Sequence, residues 1–389
     1  MTLNVLFLTH THTNDYNMYS LYYCSSISVV PVAKQTGLNH GIELSRGYLY
    51  ASTQSHVYRW PYTTGQLTNS SAGMEVVIDG METGGHPTRT LAFDSSGTWL
   101  YVSIGSEYNV DSDSSRARIR RFNIANWNSS TQGPLNFHVD GELFADGLRN
   151  EVGLAFDSFG DLWGVENGAD MISDDNPSEE MNRFRVNQTL GKHYGYPYCY
   201  SEYCLPIASG GSGVKGANTI WAYDTTMWPD KTNKWCREKT VQAALSMPAH
   251  SAPLGLTFFD WKNISGCVGG FPKSFNKFAF VAFHGSWNRA IPTGYKVVFV
   301  PFDKNGNPLG QPIDLFRYNG TFGGTAEWPQ GLRPVDVQFD KCGRLFVTED
   351  GSSSGSVIKI TYKGRYDDDF VPTDLGVADG GSCRSEGVV

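Results

Sequence analysis

GLRNEVGLAFDSFGDLWGVENGAD, residues 147–170, is the stretch from which the fold is read. It opens on a turn that carries a cation and an amide, Arg149 and Asn150. Two short apolar runs follow, Gly153 to Phe156 and Leu162 to Val165, split by the turn Asp157-Ser158-Phe159-Gly160, a pattern that predicts a β-hairpin. The polar turn Glu166-Asn167-Gly168-Ala169-Asp170 closes the unit, so polar groups stand on the loops at strand ends, where a rigid β scaffold commonly carries its binding chemistry.

The unit recurs. GIELSRGYLYAS from 41, TLAFDSSGTWLYVSIGS from 90, GLTFFDW from 255 with KFAFVAFHGSW from 277, and DVQFDKCGRLFVTEDGSSS from 336 repeat the order apolar strand, polar turn, aromatic-rich strand. Hairpins of this kind with long insertions suit a β-propeller better than a sandwich, because radial repetition lets each blade cover the face of its neighbour. With 43 Gly, 20 Tyr and 22 Phe in 389 residues, the composition favours strands and tight turns, and no long stretch has a helical apolar period. A closed all-β architecture of this length is allowed as one domain.

The formal net charge of −8 argues against nucleic acid as partner, since phosphate binding needs clustered Lys and Arg. No apolar run is long enough to span a bilayer, so no membrane partner is expected. Seven Cys leave an odd thiol, and Cys199 and Cys204 stand close enough in sequence to bridge one loop. Sequons at Asn69, Asn128, Asn187, Asn263 and Asn319 lean toward a secreted glycoprotein, although the amino terminus has no basic region or clear cleavage site of a signal peptide.

The turns that lead into the inner strands supply the candidate chemistry: His86, Arg89, Arg149, Asn150, His250, Arg289 and Arg333, with His284 beside them. In a propeller such turns converge on one end of the central channel, where Arg side chains suit a small polyanionic ligand by bidentate pairing. His86 is either a turn residue or a general base, and Arg149 and Arg333 either brace blades or hold a ligand. Gly168 and Ala169 offer carbonyls to a hard cation such as calcium. The segment SDDNPSEE, residues 173–180, lacks the ligand spacing of an EF-hand and reads as an exposed acidic loop. Tyr194, Tyr196, Tyr198, Trp287 and Trp328 are candidates for a wall on which a sugar or flat cofactor stacks, with core packing as the alternative.

Taken in order, HPTRT, GLRNEVGLAF, DLWGVENGAD, GKHYGYPYCY, HSAPLGL, FHGSWNR and GLRPVDV resemble the soluble quinoprotein sugar dehydrogenases, nearest to the fungal pyranose dehydrogenase and L-sorbosone dehydrogenase-like branch. That resemblance implies a six-bladed β-propeller of four-stranded antiparallel blades that holds pyrroloquinoline quinone and a calcium ion. It further implies His86 as the catalytic base with Arg149, the cofactor held by Arg149, Asn150, Arg289, Arg333 and His284, calcium on Gly168 and Ala169, and substrate against Tyr194 and Trp287. Members of this family oxidise the anomeric hydroxyl of aldoses or keto-sugars and pass electrons to an external acceptor such as a cytochrome or quinone. The family's first strand pair, with its Pro-Arg-Gly turn, is missing from residues 1–36, so an incomplete first blade is expected before a propeller over 37–366 and a polar tail over 367–389. Two other readings remain at this point: a calcium-dependent lactonase or esterase propeller with Asn150, Glu166 or Asp170 as ligands, and a propeller inactivated by loss of its first blade.

Overall fold

The computed structural model describes residues 2–4, 19–22, 31–66, 73–113, 115–317, 332–351 and 355–363. Trp328, the sequons at Asn69 and Asn319, and the tail expected from residue 367 lie outside them. The described chain is an all-β propeller. Its first sheet is built on Ile42–Ser45, Tyr48–Ser52, Val57–Pro61 and Glu75–Asp79, and its second on Leu91–Phe93, Trp99–Ile104, Arg118–Asn123 and Glu142–Asp146. The third contains Glu151–Phe156, Leu162–Glu166, Glu179–Phe184 and Leu245–Met247; the fourth contains Pro253–Phe258, Ala279–Phe283, Lys296–Val300 and Ile313–Arg317. The fifth runs Pro334–Phe339, Leu345–Glu349, Ser356–Tyr362 and then Tyr19–Tyr22, so a strand from near the amino terminus completes the last blade in antiparallel register.

The hairpin at 147–170 folds as its pattern predicts. Gly153 pairs with Val165, Leu154 with Gly164 and Phe156 with Leu162, and Gly160 takes a left-handed φ of +85° in the turn between them. The other four hairpins read from the sequence are likewise the inner strand pairs of their sheets. Where neighbouring blades face each other, aromatic and β-branched side chains fill the space between them. Phe275, Phe280, Phe283, Val281 and Val298 are fully buried in the largest core cluster, which joins the third, fourth and fifth sheets. Short parallel strands latch successive blades together, Leu135–Asn136 onto the first sheet and Lys192–His193 onto the second, so these two sheets have five strands rather than four.

Six blades were expected and five blade sheets are found among the described residues. Five inner hairpins are legible in the sequence, and ahead of them the described residues hold only a two-stranded antiparallel pair, Thr2–Asn4 with Pro31–Lys34, rather than a sixth blade sheet. Ile42 and Leu44, on the inner strand of the first sheet, remain 43% and 55% exposed, whereas the matching strand of the third sheet is buried between neighbours. The loops are pinned by disulfides from Cys199 to Cys236 and from Cys267 to Cys342. The bridge within one loop from Cys199 to Cys204 is therefore not formed: Cys236, on the short helix Asn233–Lys239, takes Cys199, and Cys204 is disulfide-bonded elsewhere. SDDNPSEE is not the exposed loop expected, because Asn176, Ser178, Glu179 and Glu180 are buried where the segment turns into the strand Glu179–Phe184. No helix among the described residues is long and apolar enough to cross a membrane.

Candidate active site

The turns before the inner strands meet at one rim of the channel because hydrogen bonds stitch each blade to the next. The backbone N–H of His86 donates to Ser106 O at 3.0 Å, and that of Ser106 donates to Arg149 O at 2.8 Å, which joins the second sheet to the third. Asn167 donates its N–H to Asn150 O at 3.0 Å and its side-chain amide to Pro253 O at 2.7 Å, which joins the third to the fourth. The result is a cleft of about 170 Å³ lined by His86, Arg149, Asn150, Gly168, His284 and Arg333, with Trp287 and Asn288 at its edge.

His86 is set by its sequence neighbours. Gly85 has a φ of +54°, and a Cβ there would lie 2.2 Å from Glu107 Cα, so only glycine fits beneath the histidine. The His86 Nδ1 lies 2.8 Å from Ser106 O, a group that can only accept, so Nδ1 carries the proton and Nε2 keeps its lone pair. Burial, and next the positive charge of Arg149, push the imidazole down to about 4 from its ordinary value. His86 is therefore a neutral acceptor throughout the neutral pH range.

Arg149 is buried at 4% exposure and is the most heavily tied cation in the cleft. Its guanidinium donates to Asn109 Oδ1 at 3.0 Å, to Asn167 O at 3.2 Å and to Asp170 Oδ2 at 2.9 Å. Asp170 also accepts from the Asn288 amide at 2.9 Å. Across the cleft, His284 Nε2 lies 2.8 Å from Asp350 Oδ1, and Arg333 Nη2 lies 2.7 Å from His284 Nδ1. Burial first, and the Arg333 charge second, hold His284 below its ordinary value, so Arg333 remains the cation of this pair. His250 occupies a left-handed backbone conformation, φ +60°, and its Nε2 donates to Ser173 O at 2.7 Å, which places it as a brace of the turn before the fourth sheet.

Beneath these groups lies a layer of buried acids. Glu179 Oε2 accepts the Gly168 N–H at 2.7 Å and Glu179 Oε1 the Ala252 N–H at 3.1 Å, which fixes the Gly168 turn against the next blade. Glu166 accepts the Arg149 backbone N–H, and the Asn182 amide donates at 3.1 Å both to Glu166 Oε2 and to Glu151 Oε2. Burial raises Glu151, Glu166 and Glu180 above their ordinary value, which favours the protonated carboxyl in this layer.

Of the residues singled out in the sequence, His86, Arg149, Asn150, Gly168, His250, His284, Trp287 and Arg333 come together. Others do not. Tyr194 is 5% exposed and packs 4.9 Å from the ring of Phe184, with its hydroxyl on Arg183 O, so it is a core residue rather than a wall of the cleft. Tyr196 is buried against Tyr200, and Tyr198 sits among His193, Trp228 and Trp235. Arg289 pairs with Asp175 at 3.0 Å and with Ala249 O, and does not line the cleft. Ala169 buries its methyl group with Tyr196 and Tyr200. Arg89 braces its own turn, donating to His86 O, Thr88 O and Glu82 O. Asn109, Ser106, Glu179 and Asn288 were missed, because nothing local marks a single polar residue as the partner of others on different turns, up to 118 positions away for Asn288. Among the described residues there is no group of three or more His, Cys, Asp or Glu placed to hold a metal.

The family model described as TrAA12-like matches residues 8–363. A pyrroloquinoline quinone-dependent sugar dehydrogenase of Hypocrea jecorina is 30% identical over 363 residues, covering 87% of this chain and 77% of that one. A pyrroloquinoline quinone-dependent pyranose dehydrogenase of Coprinopsis cinerea is 29% identical over 311 residues; the match covers 75% of this chain but only 39% of that relative's length. Among solved structures, a calcium structure of a Trichoderma reesei carbohydrate-active enzyme of family AA12 superposes with a TM-score of 0.72 at 29% identity, covering 88% and 87% of the two chains. The holo pyranose dehydrogenase PQQ domain of Coprinopsis cinerea gives 0.72 at 26% identity, covering 92% and 94%.

Proposed function

This chain belongs to the TrAA12-like family, and on that premise we propose that it is a dehydrogenase that uses pyrroloquinoline quinone and calcium to oxidise the anomeric hydroxyl of a pyranose. The observation that carries the reading is the position of a neutral His86, its Nε2 unprotonated, in the same cleft as Arg149, Asn150, Gly168 and Arg333. The donor set fits a flat, acidic cofactor: Arg149 and Arg333 supply guanidinium forks for carboxylates, and Asn150 supplies an amide. The cleft measures about 170 Å³, below the 300–1,000 Å³ of most ligand sites, and Trp287 stands at its edge, 46% exposed. For calcium, the Gly168 turn fits a hard ion that accepts backbone oxygens, and Asp170, whose oxygens also take Arg149 and Asn288, is a carboxylate lining the same cleft.

When bound, these groups supply a two-electron acceptor and a Lewis acid. The chain's own part is to hold and deprotonate the sugar. His86 Nε2 takes the proton from the anomeric hydroxyl as the C–H pair leaves as hydride, which converts the hemiacetal to a lactone. Arg149 and Arg333 orient the acceptor, while Glu179 keeps the Gly168 turn in place. An external acceptor would take up the electrons, and the disulfides fit the proposed secretion. The lactonase reading loses support because Glu166 is buried with its oxygens on Arg149 N–H and Asn182, away from any ion in the cleft.

The test is to add pyrroloquinoline quinone and calcium to the purified chain, remove excess, and follow the quinone absorbance as aldoses and keto-sugars are added. Bleaching by sugar supports the proposal. Cofactor uptake without bleaching, or no uptake at all, refutes it, and the latter is the outcome for a propeller disabled by its missing blade.

A further inference from the structure

A second cavity lies at the opposite rim. The strands Pro253–Phe258 and Pro334–Phe339 both start at the active-site cleft, and both end at this cavity, which is lined by Phe258, Trp261, Asn263, Gln338, Phe339 and Lys341 among others. Six residues of strand separate the two sites by about 20 Å. The cavity measures about 560 Å³, well within the range of small-ligand sites at 300–1,000 Å³. The described channel chemistry does not use it.

Its wall contains a sequon, Asn263-Ile264-Ser265. Asn263 and Ser265 are exposed, and the loop that carries them is held by the Cys267–Cys342 disulfide and by a bond from Phe271 N–H to Gly343 O at 2.8 Å. Two residues before Asn263 stands Trp261, half-buried against the core, its backbone N–H donated to Asn276 Oδ1 at 2.9 Å and Lys273 Nζ 5.6 Å from the centre of its ring. Trp261 thus lines the same cavity as Asn263, with its backbone held in place. Indole rings pack well against the C–H face of a pyranose, and the polar lining of Lys262, Gln338 and Lys341 offers hydrogen bonds to its hydroxyls. By contrast the sequon at Asn128 uses its side chain to cap a helix, accepting from Ser130 N–H at 2.9 Å, and lines no such cavity.

We propose that Asn263 carries an N-linked glycan whose first N-acetylglucosamine packs on Trp261 inside this cavity. The Asn263 Nδ2 forms a bond to the sugar C1 and loses a proton, while the bond from C1 to the pyrophosphate of a lipid-linked oligosaccharide donor breaks and the pyrophosphate leaves with the electron pair. The attachment rests on passage through a secretory route. It leaves the substrate cleft open, because the glycan stands at the far rim.

The full chain is secreted from a eukaryotic host and its glycopeptides are mapped by mass spectrometry. Thermal midpoints are then compared for the wild type, Asn263→Gln, Trp261→Ala and the double variant, with Trp261→Tyr as the conservative control. The expected result is a glycan on Asn263, a midpoint about 2 °C lower in Asn263→Gln, and no further loss from Asn263→Gln when Trp261 is already Ala. Trp261→Tyr is expected to keep the difference between glycosylated and unglycosylated protein. An unmodified Asn263 in the secreted chain overturns the proposal. So does a glycan whose removal shifts the midpoint equally with and without the indole, or not at all.

Discussion

Gly105 ends the second strand of the second sheet at the point where the two most important polar residues approach. Replacing it with alanine tests whether His86 and Asn150 act as a matched pair. A Cβ at position 105 would lie 2.6 Å from Asn150 Oδ1, 2.8 Å from His86 Cβ and 3.3 Å from Arg149 O. Comfortable carbon contacts are about 3.5–4.0 Å, so His86 and Asn150 must each retreat by something near 1 Å. The backbone itself adds no penalty, since Gly105 is not among the glycines of left-handed φ. Overpacking of this kind costs about 1–3 kcal/mol, and a 1 Å misplacement of a reacting group costs about 10²-fold in rate. Gly105→Ala is therefore expected to fold with a lowered thermal midpoint, to take up cofactor weakly, and to lose about two orders of magnitude in sugar turnover. The control is Gly310→Ala, where an added Cβ meets nothing within 4 Å and neither quantity should change. The measurements are the calorimetric midpoint, quinone absorbance after desalting, and initial rate with an artificial electron acceptor. A folded, loaded Gly105→Ala protein with wild-type turnover would refute the assignment of His86 and Asn150 to the reacting site.

His86→Ala is expected to bind cofactor yet lose about 10²–10⁴-fold in turnover, the usual range for a general base, with absorbance and rate measured on the same sample. His86 titrates near 4 in the fold, below its ordinary value of about 6.5. Its contribution to stability is thus complete above about 6.5 and is lost as pH falls through about 4, and proton NMR of its Cε1–H should show no titration between the two. Arg149→Gln removes the second cause of that depression and should move the NMR midpoint upward; an unchanged midpoint would leave burial alone responsible. Glu179→Gln can accept only one of the two amides of Gly168 and Ala252, which leaves a buried N–H facing a donor at a cost of about 1–3 kcal/mol. Calcium titration and unfolding of Glu179→Gln should weaken together, and retained calcium affinity would sever the Gly168 turn from the ion. Glu151 is raised by burial, so it favours the fold below about 4.3 and loses that contribution as pH rises through its raised value; Glu151→Gln should flatten the fall of the thermal midpoint as pH rises above about 4.3, and an unaltered slope would count against a raised Glu151.

Much of the propeller is legible because a hairpin is a local object. The Asp157-Ser158-Phe159-Gly160 turn fixes the register of its own strands, and the same reading holds at 41, 90, 255 and 336. The blade count is a different matter, since it depends on where distant strands close. The strand Tyr19–Tyr22 joins Ser356–Tyr362 across more than three hundred residues, and no local pattern in it announces a partner. The residues on leading turns that come together in the cleft, such as His86, Arg149 and Arg333, are ones whose turn was legible in the sequence. Arg289 and Tyr194 went astray because their directions are set by Asp175 and by the Phe184 packing, neither visible nearby in sequence. The same limit hid Glu179, whose acidic neighbourhood reads as exposed until the Gly168 and Ala252 amides are seen to need it.

Arg149 sits where two demands on the site conflict. As a buried guanidinium it suits an anionic ligand, yet its charge also depresses His86 and so weakens the base that the reaction needs. Asp170 partly offsets this, since it pairs with Arg149 at 2.9 Å and itself raises the imidazole. A carboxylate of a bound ligand placed on the same fork would add to that offset, so an occupied site carries a stronger base than an empty one. On the proposed function, His86 would then gain proton affinity when the anionic cofactor is in place beside it. Proton NMR of His86 with and without an anionic ligand in the cleft separates the cases: a rise of its midpoint on binding follows from this electrostatic coupling, and a fall would mean that desolvation by the ligand outweighs its charge.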